Sequence, residues 1–431
     1  MKKYLEAAQN MRCGLIGEKL GHSFSPQIHK HFASYEYGLY EIAQDKLGEF
    51  FESTDLAAFN VTIPYKKAVI PYLSGISDEA RRIGAVNTVI RQPDGSFYGD
   101  NTDYYGFKKT VELSGIDVKG KKALVLGSGG AAATVKTVLA DLLAKDVITV
   151  SRSGDVNYEN VFELHGDADV IVNTTPVGMY PSTENAPIDV SRFPSLCGVI
   201  DVIYNPARTK LLTDTEKLCA EHPERNIRYI NGLYMLVAQA KRACELFLGD
   251  SLDDSVIPET VTDIRLESEN LILIGMPSCG KSTAGKLLSK MTGRRFVDTD
   301  ALIPEFSGGL TPAECITSLG VKKFRELETE AVKSVASESG LIIATGGGVP
   351  TIMKNYEPLH RNGFMIRIDR DVSKLSRHGR PLSIGKDLEE LYRERLPFYE
   401  YFEDATVKSQ DDPQNTANAV YEAFCALVRG K

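Results

Sequence analysis

The sequence predicts an α/β chain built in successive parts, and three observations predict it. A glycine-rich loop, Gly275-Met276-Pro277-Ser278-Cys279-Gly280-Lys281-Ser282-Thr283, follows the apolar run Leu271–Ile274 and opens a helical stretch from Ala284 to Met291. A second loop, Gly127-Ser128-Gly129-Gly130-Ala131-Ala132, follows Lys121–Leu126 and opens a helix through Leu143. Before both, residues 12–105 alternate short strand-like and helix-like runs. A phosphate-type loop ordinarily opens its domain at the first strand. Here it begins at residue 275 of 431, so a complete domain is expected in front of it.

Composition sets the outer limits. A length of 431 residues suggests two to three domains. With 42% hydrophobic and 25% charged residues, the chain can fill more than one core. A net charge of -8 argues against a general nucleic-acid binder. The seven cysteines, at 13, 197, 219, 244, 279, 315 and 425, form no C-x-x-C pair, which fits reduced thiols in a cytoplasmic enzyme. The first residues lack the apolar core of a signal peptide, and no 18-residue apolar run exists, so no membrane partner is expected. The oligomeric state is left open, a homodimer included.

In chain order, Arg12–Ile16 reads as a strand, and Gly21 to Pro26 leads into a helix. Phe59–Pro64 reads as a strand with Tyr65-Lys66-Lys67 just beyond, followed by Gly84–Val89 and Gly99–Asp103. Singly, Ser23 and Ser25 read as helix caps, Asn87 and Asp103 as turn residues and Lys66 as a surface lysine. Together they stand at the tips of successive strands, where α/β proteins place their sites.

The loop at Gly127 is G-x-G-x-x-A between a strand and a helix. The first glycine permits the tight turn, the second permits approach of a pyrophosphate, and Ala132 permits close helix packing. The next strand, Asp146–Val150, ends in Ser151-Arg152-Ser153. An acidic residue there would hold a ribose 2′-hydroxyl; the cation Arg152 argues for a 2′-phosphate and hence NADP(H). Further strands are expected at Asp169–Val172 and Gly198–Tyr204, and Asn231–Leu236 starts a helix carrying Gln239. Residues 249–268 are acidic and turn-rich without a helical stripe and read as a flexible inter-domain linker.

Residues 12–248 resemble the shikimate dehydrogenase family. The resemblance rests on Ser-Phe-Ser-Pro (23–26), Asn-Val-Thr-Ile-Pro-Tyr-Lys (60–66), Gly-Ala-Val-Asn-Thr (84–88), Asn-Thr-Asp (101–103), the loop at 127, Asn-Thr-Thr-Pro-Val-Gly-Met (173–179), Asp201–Tyr204 and Asn231-Gly232-Leu233 through Gln239. It implies NADPH-dependent reduction of 3-dehydroshikimate to shikimate. Lys66 and Asp103 would be the catalytic pair. Ser23, Ser25, Thr62, Asn87, Asp103, Tyr204 and Gln239 would hold the substrate. Gly127, Ser128, Gly129, Gly130, Ala131, Arg152 and Gly232 would line the NADP site. One departure is visible: the family often has a second basic residue at the 2′-phosphate, whereas Arg152 is followed by Ser153-Gly154-Asp155.

Beyond the loop at Gly275, the strand Arg295–Val297 runs into Asp298-Thr299-Asp300. Two alternate carboxylates can divide the work of holding Mg²⁺ and taking a proton from an attacking hydroxyl. Leu341–Thr345 delivers Gly346-Gly347-Gly348, and Arg377 to Leu382 suits a closing lid. Residues 270–431 resemble shikimate kinase through these features, Phe324-Arg325 with Glu328, Arg380-Pro381-Leu382, and Arg395 with Pro397 and Tyr399. The resemblance implies that Asp300, Arg325, Gly347 and Arg395 bind shikimate, with Asp300 as base. Gly275, Ser278, Cys279, Gly280, Lys281, Ser282 and Thr283 would bind ATP, Ser282 and Asp298 would hold Mg²⁺, and Lys281 and Arg380 would stabilise the transferring phosphoryl group. Arg377 would meet the adenine. The family's Gly-Glu before Phe-Arg is Gly320-Val321 here, and the lid looks short.

The expected architecture is therefore α/β: a two-lobed dehydrogenase followed by a P-loop, nucleoside-monophosphate-kinase-like domain. Its parts are a substrate lobe (1–105, with a returning helix 235–248), a Rossmann-type NADP lobe (106–234), the linker (249–268) and the kinase domain (269–431). The small-molecule substrates would be 3-dehydroshikimate and shikimate. Alternatives are a quinate-directed first half with a kinase for another small polyol acid, and an inactive regulatory homologue.

Overall fold

The computed structural model describes residues 11–21, 23–375 and 387–430. The chain folds as two compact units: Met1–Tyr204 with Thr209–Val261, and Asn205–Arg208 with Thr262–Lys431.

The first unit holds two sheets. The first comprises β1 (Arg12–Gly17), β2 (Glu36–Glu41), β3 (Ala58–Val61), β4 (Gly75–Ile76), β5 (Thr88–Arg91) and β6 (Phe97–Asp100), in the order β2-β1-β3-β5-β6-β4. β1 runs parallel to β2 and β3, whereas β5 is antiparallel to both β3 and β6. Ile16, Phe59, Val61, Tyr65, Val86 and Val89 fill its core. The second sheet is parallel: β7 (Lys122–Leu126), β8 (Asp146–Val150), β9 (Val170–Asn173), β10 (Gly198–Asp201) and β11 (Arg228–Ile230), ordered β11-β10-β9-β7-β8. β9 and β10 are buried along their whole length, as strands covered on both faces must be. The order reverses at β7, whose neighbours β8 and β9 lie on opposite sides, so a crevice opens at its carboxyl end.

Two helices tie these sheets together. Helix Leu233–Leu248 lies against helix Thr102–Ser114, and Gly106 is a point of close approach. A Cβ at Gly106 would stand 2.7 Å from the Met235 carbonyl oxygen and 2.9 Å from Gln239 Cβ. The absent side chain thus sets how near Gln239 comes to Asp103, one turn before Gly106.

In the second unit five parallel strands, β12 (Asn270–Ile274), β13 (Phe296–Asp298), β14 (Ile342–Ala344), β15 (Gly363–Asp369) and β16 (Ala405–Lys408), are ordered β13-β14-β12-β15-β16. β12 is fully buried at the centre. The carboxyl ends of β12, β13, β14 and β15 share one edge of the sheet, and the glycine-rich loop leaves from β12.

The structure corrects one expectation. Within 249–268, residues Val256–Ser268 are a helix, not a flexible linker. Ile257, Val261 and Ile264, spaced i, i+4 and i+7, are at most 2% exposed and form the stripe that the acidic flanks hide. Pro258 lies in the first turn, where its missing N–H costs nothing. Before it, the Leu252 amide donates to Glu245 Oε1 at 2.8 Å and Lys241 pairs with Asp254 at 2.7 Å. The helical run Pro312–Ala336 is broken at Gly320 (φ 82°), which starts a fresh segment carrying Phe324, Arg325 and Glu328.

Candidate active sites

In the first unit, Lys66 sits on the turn after β3. Its carbonyl accepts the Val86 amide at 2.7 Å, and the preceding Tyr65 is fully buried with its hydroxyl on the Ile42 carbonyl. Asp103 occupies the first turn of helix Thr102–Ser114. Lys66 Nζ donates to Asp103 Oδ2 at 2.6 Å, with side chains 26% and 13% exposed. The backbone thus holds both partners of a sheltered ion pair.

Asn87 is oriented by the same helix. The Thr102 amide donates to Asn87 Oδ1 at 2.7 Å and the Thr88 hydroxyl does so at 3.0 Å. With its oxygen committed, the Asn87 amide turns its NH₂ donors to the cavity it lines. That cavity, of about 320 Å³, is bordered by Ser23, Ser25, Thr62, Lys66, Asn87 and Asp103. Tyr204 and Gln239 also border it, as do Ala131 and Gly232. Every substrate-binding and catalytic residue expected of the first half therefore meets in one space. Ser23 and Ser25 are linked hydroxyl to hydroxyl at 3.1 Å. Tyr204 packs on Phe24 at 5.6 Å between ring centroids, and its burial raises the phenol pKa.

The glycine loop leaves β7 beside this cavity. Gly127 has φ 105°, and a Cβ there would meet Thr174 Oγ1 at 2.9 Å. Gly129 and Gly130 face open space, with no atom within 4 Å of a would-be Cβ, so a ligand can lie against their backbone. Gly232 is fixed by something else: any Cβ there would collide with the Val202 carbonyl. Arg152, after β8, is exposed and makes no hydrogen bond or ion pair among the described residues.

Asp201 went unassigned in the sequence. It is fully buried at the end of β10. Its Oδ1 accepts from Asn173 Nδ2 and the Ile203 amide, each at 3.0 Å, and its Oδ2 accepts from the Thr209 hydroxyl at 2.6 Å. Burial pushes its carboxyl up to about 7, against the three hydrogen bonds. It anchors the stretch that presents Tyr204; the sequence placed it in the Asp201–Tyr204 motif at the close of an apolar strand but gave it no role.

In the second unit a cavity of about 250 Å³ is lined by Ser278, Gly280, Lys281, Ser282 and Thr283 of the loop. Asp298, Asp300, Thr345, Gly347 and Arg370 complete it. Gly275 and Cys279 do not line it; Cys279 is buried, and a Cβ on Gly275 would stand 2.6 Å from the Ile368 carbonyl oxygen. Lys281 is buried and donates to the Gly275 and Met276 carbonyls, both at 2.9 Å. Ser282 Oγ donates to Asp298 Oδ2 at 2.6 Å, so the two expected metal ligands already meet. Asp298 also caps the next helix through the Asp300 amide, at 3.1 Å, which places Asp300 in its first turn.

The three glycines each admit a neighbour. A Cβ would collide with Asp300 Oδ1 at Gly346, stand 2.8 Å from the Pro277 ring at Gly347, and collide with the Arg325 guanidinium at Gly348. Arg325 pairs with buried Glu328. Burial, aided by the negative Asp300, raises the Glu328 carboxyl, while Arg325 and Arg395 oppose the rise. Arg395 Nη1 and the Tyr399 hydroxyl both donate to the Gly347 carbonyl, at 3.0 and 2.7 Å. Arg325 and Arg395 thus gather around the glycines without lining the phosphate cavity. Arg377 and Arg380 lie outside the described residues. A second cavity of about 450 Å³ shares Ser282 and Thr283 and adds Lys286, Lys290, Asp412 and Pro413. Neither Arg370 nor Pro413 was singled out in the sequence; a basic residue closing β15 was the available signal for the former.

Known proteins match in the same two parts. The family of shikimate dehydrogenase substrate binding domains matches residues 15–89. A shikimate dehydrogenase (NADP(+)) of Clostridium beijerinckii is 39% identical over 267 residues, spanning 56% of this chain and 94% of the relative. The chain belongs to the shikimate dehydrogenase family. Its second part carries a shikimate kinase domain, matched over residues 277–425. Among solved structures, a chorismate mutase/shikimate 5-dehydrogenase fusion protein from Clostridium acetobutylicum is 36% identical, with TM-score 0.54 and coverage of 59% of this chain and 97% of that one. Shikimate 5-dehydrogenase of Thermus thermophilus, solved with NADP(H) and shikimate, is 29% identical with TM-score 0.50 and covers 59% and 99%. Both domains of a bifunctional shikimate-pathway enzyme are present in one chain, a dehydrogenase followed by a kinase. Among the described residues, no helix is long and apolar enough to cross a membrane.

Proposed function

We propose that the first site reduces the ketone of 3-dehydroshikimate and that the second phosphorylates the 3-hydroxyl of the resulting shikimate. The observation that carries this reading is the Lys66–Asp103 pair in one cavity with the hydroxyls of Ser23, Ser25, Thr62 and Tyr204 and the amides of Asn87 and Gln239. A small polyhydroxylated acid needs many short polar groups and one proton source.

NADPH, when bound, supplies the hydride; the open backbone at Gly129 and Gly130 and the unpaired Arg152 fit its pyrophosphate and 2′-phosphate. The Lys66 ammonium gives its proton to the oxygen that becomes the hydroxyl. Asp103 keeps that ammonium aimed and offsets its charge once the proton returns from water. Asn87, with its oxygen held by Thr102 and Thr88, offers two donors in fixed directions.

In the second site, Ser282 and Asp298 fit Mg²⁺, and the loop from Ser278 to Thr283 fits the phosphates of ATP. Asp300, beside Gly346, accepts the proton of the attacking hydroxyl. Arg325 and Arg395 supply cations for the substrate carboxylate, and the 450 Å³ cavity with Pro413 takes the nucleoside end. Lys281 reaches the phosphates by exchanging the carbonyls of Gly275 and Met276 for them. Arg380 keeps the role its motif implies, stabilising the transferring phosphoryl group. All seven cysteines are free thiols, which suits a cytoplasmic location.

A substrate panel tests the assignment. Purified chain should reduce NADP⁺ with shikimate at least about tenfold more efficiently than with quinate, and more efficiently than NAD⁺ with shikimate. Equal or faster turnover of quinate would overturn the substrate; equal use of NAD⁺ would overturn the role given to Arg152.

A further inference from the structure

Two cations border the phosphate cavity of the second unit among the described residues, and they are in different states. Lys281 is buried and spends its donors on the Gly275 and Met276 carbonyls. Arg370 follows directly on β15, the strand paired with β12 along Asn270–Ile274. Arg370 lines the cavity, and its guanidinium makes no hydrogen bond or ion pair among the described residues. Asp411 is exposed and paired with Lys374 at 3.0 Å, which holds its carboxyl below the usual value with a smaller contribution from Arg370. A half-buried arginine that shares a cavity with a phosphate loop and has no partner is a fork of donors without an acceptor.

Which phosphate it serves follows from its neighbours. The cavity holding Arg370 also holds Asp300 and Gly347, assigned to the acceptor, together with Lys281, Ser282 and Asp298, assigned to the phosphates and Mg²⁺. The cavity on the other side of Ser282 and Thr283, with Lys286, Lys290 and Pro413, does not include Arg370. Arg370 therefore shares a cavity with both phosphate-loop and acceptor groups and does not line the cavity assigned to the nucleoside end. We propose that Arg370 is a catalytic residue of the kinase that binds the γ-phosphoryl group of ATP, an arginine supplied by the end of a sheet strand. On transfer, the γ-phosphorus forms its bond to the acceptor oxygen and breaks its bond to the β-phosphate bridging oxygen. Asp300 takes the acceptor's proton, and Arg370 offsets negative charge on the equatorial oxygens.

The proposal rests on the kinase reading, yet nucleotide binding tests it without an acceptor. In the full chain, Arg370→Ala should weaken binding of ATP·Mg²⁺ by about tenfold or more and leave ADP·Mg²⁺ within twofold, both by titration calorimetry. Arg370→Lys should recover part of the ATP affinity. With acceptor, kcat of Arg370→Ala should fall about 10²-fold or more while the acceptor KM stays within twofold. Dehydrogenase turnover in the same preparation should be unchanged, which shows the first unit is folded, while retained ADP·Mg²⁺ binding shows the same for the kinase unit. If ATP and ADP affinities fall together, or neither changes, Arg370 does not hold the γ-phosphoryl group. If wild-type protein binds ATP·Mg²⁺ tighter than ADP through Arg370 but phosphorylates no shikimate, the acceptor assignment fails and this one stands.

Discussion

Lys66 and Asp103 are 37 positions apart, yet the turn after β3 and the start of helix Thr102–Ser114 bring them to 2.6 Å. If Lys66 is the proton donor, Lys66→Ala should lower dehydrogenase kcat by roughly 10²–10⁴-fold, the usual worth of a general acid. Phosphorylation of added shikimate should continue at the wild-type rate. A dehydrogenase loss below fivefold would assign the proton elsewhere. The identities of these residues were legible from the sequence because their motifs are short and ordered. What holds them was not: nothing in the sequence shows Asn87 Oδ1 on the Thr102 amide, or that Gly232 is demanded by the Val202 carbonyl rather than by a cofactor alone. Such constraints arise from chain segments that meet only in the fold. Asp201 is another. Its carboxyl is raised to about 7 from an ordinary 3.8, so the folded state holds a proton that the unfolded chain releases. Its contribution to stability is full below about pH 4 and is lost as pH rises toward about 7. Asp201→Asn cannot ionise. Its thermal midpoint, followed by loss of dehydrogenase activity, should therefore gain on wild type steadily between pH 4.5 and 7.5. Parallel curves would show that Asp201 does not titrate there.

At the scale of elements, the strands that carry glycine loops were the most legible. β7 and β12 pair a long apolar run with a loop whose geometry is demanding, and both lie where expected. The substrate lobe was less so. The edge strand β2 and the two-residue β4 carry weak patterns, and their places are set by pairing with β1 and β6 rather than by local sequence. The helix Val256–Ser268 was missed because acidic residues and Pro258 mask a stripe of only three buried apolar positions. That stripe is testable. Ile264 is fully buried, so Ile264→Ala should cost about 2–5 kcal/mol of stability in urea unfolding, the range for such cavities. A cost under about 0.5 kcal/mol would return the segment to the status of a loose tether. The glycine triplet is explained by the fold: side chains at Gly346, Gly347 and Gly348 would occupy the places of Asp300, Pro277 and Arg325.

For the whole molecule, the two sites share a logic. Each gathers its groups mainly at the ends of strands, and each pairs a glycine loop with residues drawn from distant segments. The chemistry links them further, since the alcohol formed at the first site is the acceptor needed at the second. That sequence of steps is the central claim. It is tested most directly by giving one purified chain 3-dehydroshikimate, ATP and Mg²⁺, with and without NADPH, and following NADPH and ADP separately. The account requires that ADP form only when NADPH is present, that both signals appear, and that shikimate 3-phosphate accumulate. ADP formation from 3-dehydroshikimate without NADPH, or NADPH consumption with no ADP to follow, would contradict it.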